Sequence, residues 1–136
     1  GEQGFASALF YTYICISRDL LLENLGGDEE LTGRVIAALT ETAMTVSPGG
    51  KQNSFASRAY ASYALAEKGN QQPRSLAVAF FQPVRGDNHI PAAIERLQQQ
   101  LENFKRAYDQ RASSEYELNV DKGEGSLSAL LEFVRQ

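Results

Sequence analysis

The sequence predicts an α+β domain, and three observations point to it. Residues 5–16 form a run rich in aromatic and β-branched types, the composition of a strand. Asp28 opens a stretch of helical periodicity that continues to Val46. A second short apolar run, residues 60–68, follows a glycine-containing segment. Strand, helix and strand in this order form a crossover unit, which places both strands in one sheet with a right-handed connection. At 136 residues the chain is expected to build a single domain, 1–136, around one core.

In the first strand, 5–16, Phe10, Thr12, Ile14 and Ile16 fall on one face and Leu9, Tyr11, Tyr13 and Cys15 on the other. Both faces are apolar, so this strand is expected to be central and covered, with both tyrosines packed in the core. Cys15, the only cysteine, reads as a small core hydrophobe in a reducing compartment. Ser17 or Asp19 caps a short helical stretch through Leu25, and Gly26-Gly27 ends it. In helix 28–46 the acids Asp28, Glu29 and Glu30 sit at the positive end of the dipole. Leu31, Val35, Leu39, Ala43 and Val46 recur at helical spacing and predict the buried stripe, while Gly33 weakens the first turn.

Strand 60–68 places Tyr63 and Leu65 on one side. Ser75 to Phe81 is too short an apolar run for periodicity to separate helix from strand, and Pro83 stops it. Arg85 to His89 reads as a loop, and Pro91 suits the first turn of a long helix, 91–111. Ile94, Leu97, Leu101, Phe104 and Tyr108 make its apolar stripe. Residues 115–120 fit a short edge strand, and Ser126 caps a last helix, 126–135, with Leu127, Leu130, Leu131 and Val134 inward.

Catalysis finds little support in the residue inventory. His89 is the only histidine and has no serine, cysteine or acid at a spacing that suggests a triad. One cysteine and one histidine make no metal site, and no phosphate-cradling nucleotide motif occurs, so no metal and no cofactor are expected. No apolar run approaches the roughly 20 residues that span a bilayer, so no membrane partner is expected either.

Binding fits better. Net charge is −4, yet residues 46–86 hold five cations (Lys51, Arg58, Lys68, Arg74, Arg85) against Glu67, which leaves −8 for the rest. A basic middle in an acidic chain is a candidate polyanion face. Within it lies Pro48-Gly49-Gly50-Lys51-Gln52-Asn53-Ser54-Phe55. Gly49 stands where a helix C-cap glycine belongs, and capping alone is the plain explanation of the glycines. A cap requires no Lys-Gln-Asn-Ser run, however, and glycine turns with adjacent cations can hold anions. Phosphates would meet Lys51, Arg58 and side-chain amides beyond the helix end, whose own dipole repels anions.

The chain resembles a known family in four stretches. They are Phe10-Tyr11-x-Tyr13; Leu22-x-Asn24-Leu25-Gly26-Gly27-Asp28; Pro48 through Ala56; and Pro73-x-Ser75-Leu76-Ala77-x-Ala79-Phe80 with Pro83-Val84. In this order they resemble the CasC family, the guide-RNA-binding backbone subunit of the type I-E CRISPR surveillance complex, Cascade. The resemblance implies a ferredoxin-like, RNA-recognition-motif-type palm sheet, here partial and packed with helices, since family members are longer and this chain corresponds to their C-terminal part. It implies a non-catalytic cytoplasmic protein that polymerises along CRISPR guide RNA (crRNA). Its partners would be that RNA, target DNA through the guide, other copies of itself and other Cascade subunits. It also implies RNA contacts at Gly50, Lys51, Gln52, Asn53 and Ser54, with Arg58, Arg74 and Ser75 as further candidates. Two rivals belong to other classes: a ferredoxin-like RNA-processing endonuclease, for which only His89 offers acid–base chemistry, and a small structural α+β interaction domain without RNA affinity.

Overall fold

The computed structural model describes residues 10–46, 60–70 and 89–136. Helix α1 spans Arg18–Asn24 and α2 spans Glu29–Thr45. Strand β1 is Tyr63–Lys68, helix α3 is His89–Tyr108, strand β2 is Ser114–Asn119 and helix α4 is Leu127–Arg135.

Local chemistry sets most of these boundaries. Ser17 caps α1 by accepting the Leu20 N–H at 3.3 Å. At its other end the Gly27 N–H donates to the Leu22 carbonyl at 2.8 Å and the Gly26 N–H to Glu23 at 3.0 Å. This Schellman pair needs a left-handed residue after the cap, which Gly26 supplies at φ 73. Asp28 Oδ1 then accepts the Leu31 N–H at 3.0 Å and starts α2, as expected for helix 28–46. Ser126 caps α4 through the Ala129 N–H at 3.1 Å, in line with the expected helix 126–135. Helix α3 begins at His89, inside the expected loop, and ends at Tyr108, short of the expected Arg111. Asp109 at φ 53 leaves helical geometry and stops it.

The first strand is a correction. Residues 10–16 of the expected strand 5–16 have no regular structure, and Phe10, Tyr13, Ile14 and Cys15 are exposed. Residues 5–9 lie outside the described residues. β-propensity needs a partner strand, and among the described residues this run has none; Ser17 turns it straight into α1. The expected crossover with strand 60–68 is therefore not what builds the described sheet. Instead β1 pairs antiparallel with β2, in a register running from Tyr63↔Asn119 to Lys68↔Ser114.

Helices cover both faces of this two-stranded sheet, and without such cover a strand pair is marginal in water. On one face Ala64, Ala66, Tyr116 and Leu118 pack against Leu130, Leu127 and Val134 of α4, with Met44 of α2 completing the core. On the other, α3 runs along β1 in the same direction. Its Gln98 bonds Glu117 at 3.0 Å, and its Lys105 meets Glu115 at 2.7 Å.

The buried side of α2 differs from the predicted stripe. Val35, Leu39 and Val46 are 37 %, 44 % and 46 % exposed, whereas Thr32, Gly33, Ile36 and Met44 are buried. Gly33 explains the choice. A Cβ there would lie 2.6 Å from the Arg135 carbonyl oxygen, so the end of α4 rests on this glycine. The residue that weakens the helix locally thus admits the closest packing. Thr32, fully buried, satisfies its hydroxyl inside its own helix by donating to the Asp28 carbonyl at 2.8 Å. Arg18 fastens the same corner, donating to the Val134 and Arg135 carbonyls at 3.2 and 2.7 Å.

Ile36→Ala is expected to cost about 2–5 kcal/mol of unfolding free energy in urea titrations. Leu39→Ala should stay within about 0.5 kcal/mol, as surface substitutions do. The reverse order would place the core on the other side of α2.

Candidate nucleic-acid interface

Gly50, Lys51, Gln52, Asn53, Ser54 and Arg58 lie outside the described residues, as do Arg74 and Ser75. What is described is the frame that carries them. The Ala61 N–H donates to the Met44 carbonyl at 2.9 Å, so the chain leaves α2 and returns to β1 at one point. The residues flanking 47–59 are thus held together at the head of β1. Helix α2 ends at Val46 in extended conformation (φ −117, ψ 133), its N–H bonded to the Thr42 carbonyl at 3.0 Å. The C-cap position expected at Gly49 is thus filled three residues earlier. Helix α2 has no basic residue in its last turn to offset the dipole.

A cleft among the described residues has the wrong sign for a phosphate chain. About 220 Å³ in volume, it lies between α3 and the sheet, lined by Leu65, Leu101, Gln98, Glu102, Lys105, Glu115 and Glu117. Lys105 is buried, with Glu115 at 2.7 Å and Glu102 at 3.5 Å. Burial works to lower its pKa, but the hydrogen bond and charge of Glu115, then Glu102 and Glu67, outweigh that and raise it. Beside it the Tyr63 hydroxyl donates to Glu117 Oε2, which also accepts from Gln98. Burial first, then the Glu117 hydrogen bond and charge, push the phenol well above its usual range. Three glutamates against one lysine leave the rim acidic, and phosphates are repelled.

The polar layer under α3 was not anticipated. The signal was present, since Lys105 follows Leu101 by four residues and so shares the face that Ile94 and Leu101 bury. Among the described residues no group of three histidine, cysteine or acidic side chains is placed to hold a metal ion. No described helix is long and apolar enough to cross a membrane.

The protein-family comparison settles the kinship at the coarse level. A Cas (CRISPR-associated) family model, described as CT1975-like protein, matches residues 1–131. The chain belongs to the CT1975-like family. No similar sequence was found among curated proteins. Membership gives the chain a CRISPR-related role, and the matched span includes all eight candidate contact residues of this CT1975-like chain.

The Tyr63 proton gives a test of the layer under α3. Because the phenol titrates higher folded than unfolded, the folded state keeps a proton that the unfolded chain loses above about pH 10. The stability it contributes is complete below that pH and is lost as pH rises through the folded value. The stability advantage of wild type over Tyr63→Phe should therefore narrow in urea titrations as pH climbs beyond about 10. A difference independent of pH would show that the phenol titrates alike in both states.

Proposed function

We propose that this chain is the C-terminal part of the palm of a type I-E Cascade backbone subunit, a non-catalytic protein that holds CRISPR guide RNA. The observation that carries the proposal is the family match across residues 1–131, which contains the Gly50-Lys51-Gln52-Asn53-Ser54 run. Lys51 supplies a phosphate contact, with Gln52, Asn53 and Ser54 as hydrogen-bonding neighbours and Arg58, Arg74 and Ser75 nearby along the RNA. The sheet belongs to a ferredoxin-like, RNA-recognition-type palm whose remaining strands come from other parts of the protein. Other copies of the chain and other Cascade subunits line the same guide, in the cytoplasm, and target DNA is met through base pairing with that guide. Sequence discrimination then rests with pairing, and the protein grips backbone and shape.

Two structural facts support the reading. The Ala61 N–H bonds the Met44 carbonyl, which holds the residues flanking 47–59 together. The acidic cleft under α3 directs a polyanion away from that face.

Nucleic acid should copurify with the intact protein, visible as excess absorbance at nucleic-acid wavelengths that ribonuclease removes. Lys51→Ala should weaken RNA binding whatever the RNA sequence and lower the slope of log affinity against log salt by about 0.7. An unchanged slope would remove Lys51 from the phosphate contacts, and protein free of RNA affinity at every salt concentration would favour a purely structural domain.

A further inference from the structure

We propose that α2 pairs antiparallel with α2 of a second copy of this chain, through the apolar side that α4 leaves uncovered. Apolar residues lie on both sides of this helix. Thr32, Gly33, Ile36 and Met44 are buried on one. On the other, Val35, Leu39 and Val46 are exposed, as are Ala38 and Thr42. Spacings of three and four residues put these five on one stripe along a 17-residue helix about 25 Å long. Thr42 belongs to the stripe through its methyl group, because its hydroxyl donates to the Ala38 carbonyl at 2.9 Å within the helix. A helix that is apolar on both sides calls for cover on both.

The pattern of the stripe selects a second copy as its occupant. Turned end for end about a point between Ala38 and Leu39, it falls on itself: Val35 comes opposite Thr42, and Ala38 opposite Leu39. A two-fold interface has this requirement, since one patch meets its own copy. Ala38 is small at the centre and lets the two helices approach, with Leu39 filling the space beside it. The charges obey the same symmetry. Arg34 and Glu41 are exposed and, at seven residues apart, share one edge of the stripe. In the reversed pairing Arg34 of one copy comes within two residues, about 3 Å along the axis, of Glu41 of the other, and the two-fold repeats the ion pair. A parallel pairing would set arginine against arginine and glutamate against glutamate. RNA is a poor occupant, because α2 carries Arg34 alone against Glu29, Glu30 and Glu41. One helix laid on one helix is a small interface, so the dimer is expected to be weak and concentration-dependent.

Sedimentation velocity of the full chain over a rising concentration series, ribonuclease-treated and kept reduced, tests the pairing. Wild type should move from monomer to dimer and stop there, because a two-fold contact closes on itself. Arg34→Glu sets like charges across both ion pairs and should weaken association roughly tenfold. Adding Glu41→Arg to it should restore the dimer. Leu39→Lys should keep the chain monomeric, with the thermal midpoint of each variant recorded to show that these exposed substitutions keep the fold. Wild type that stays monomeric at every concentration overturns the pairing, as does assembly that runs past the dimer. Association that Arg34→Glu leaves unchanged, or that the double variant fails to restore, also overturns it, since the contact then lies elsewhere. None of these outcomes depends on RNA, so the RNA-binding reading stands or falls separately.

Discussion

The contact between the end of α4 and Gly33 of α2 fixes the arrangement of everything else described. Because a side chain at this position would strike the Arg135 carbonyl, the two helices meet backbone to backbone, and that approach turns Ile36 and Met44 inward. Met44 then joins Leu130 and Leu118 in the core, which seats α4 on β1 and β2. Arg18 ties α1 to the same place through the carbonyls that α4 leaves unbonded. A chain of close contacts thus runs from α1 through α2 and α4 to the sheet. Helix α3 stands apart, on the opposite face, where Gln98 and Lys105 bond Glu117 and Glu115 beside the buried Ile94 and Leu101.

That division also sorts the charges. Under α3 a lysine is surrounded by glutamates, and the surplus is acidic. At the α1–α4 corner Arg18 meets the last carbonyls of α4 and Lys68 lies over the Phe133 ring. Surface charges farther apart than about 8 Å are largely screened at physiological salt, so a net charge of −4 does not forbid a polyanion contact on a locally basic spot. It does argue that such a contact is confined, with the phosphate chain kept off the α3 face.

Elements fixed by adjacent residues were legible in the sequence. Ser17, Asp28 and Ser126 start helices because a side-chain oxygen satisfies a nearby N–H, and Gly26-Gly27 stops one because left-handed backbone suits glycine. What depended on distant partners was not. Helix α2 carries two faces that could be buried, and periodicity cannot show which one meets α4; the glycine that decided it looked only like a weakness. The run at 10–16 has strand composition without a described strand to pair with. Lys105 was absent from the expected stripe of α3, although its spacing from Leu101 put it on the buried face. The loop contacts were argued from residue types alone and lie outside the described residues.

The frame on which the proposed guide-holding role depends is stiff. A backbone hydrogen bond of 2.9 Å from Ala61 to Met44 joins the end of α2 to the approach to β1, and β1 is paired along its length with β2. Helices α4 and α3 cover the two faces of that pair. Contacts carried on a rigid frame would meet phosphates at set positions whatever bases lie between, which is the property a guide-holding scaffold requires when base pairing alone must choose the target. A flexible frame would hold the same charges, yet it would lose part of the affinity to the entropy of bringing them into register.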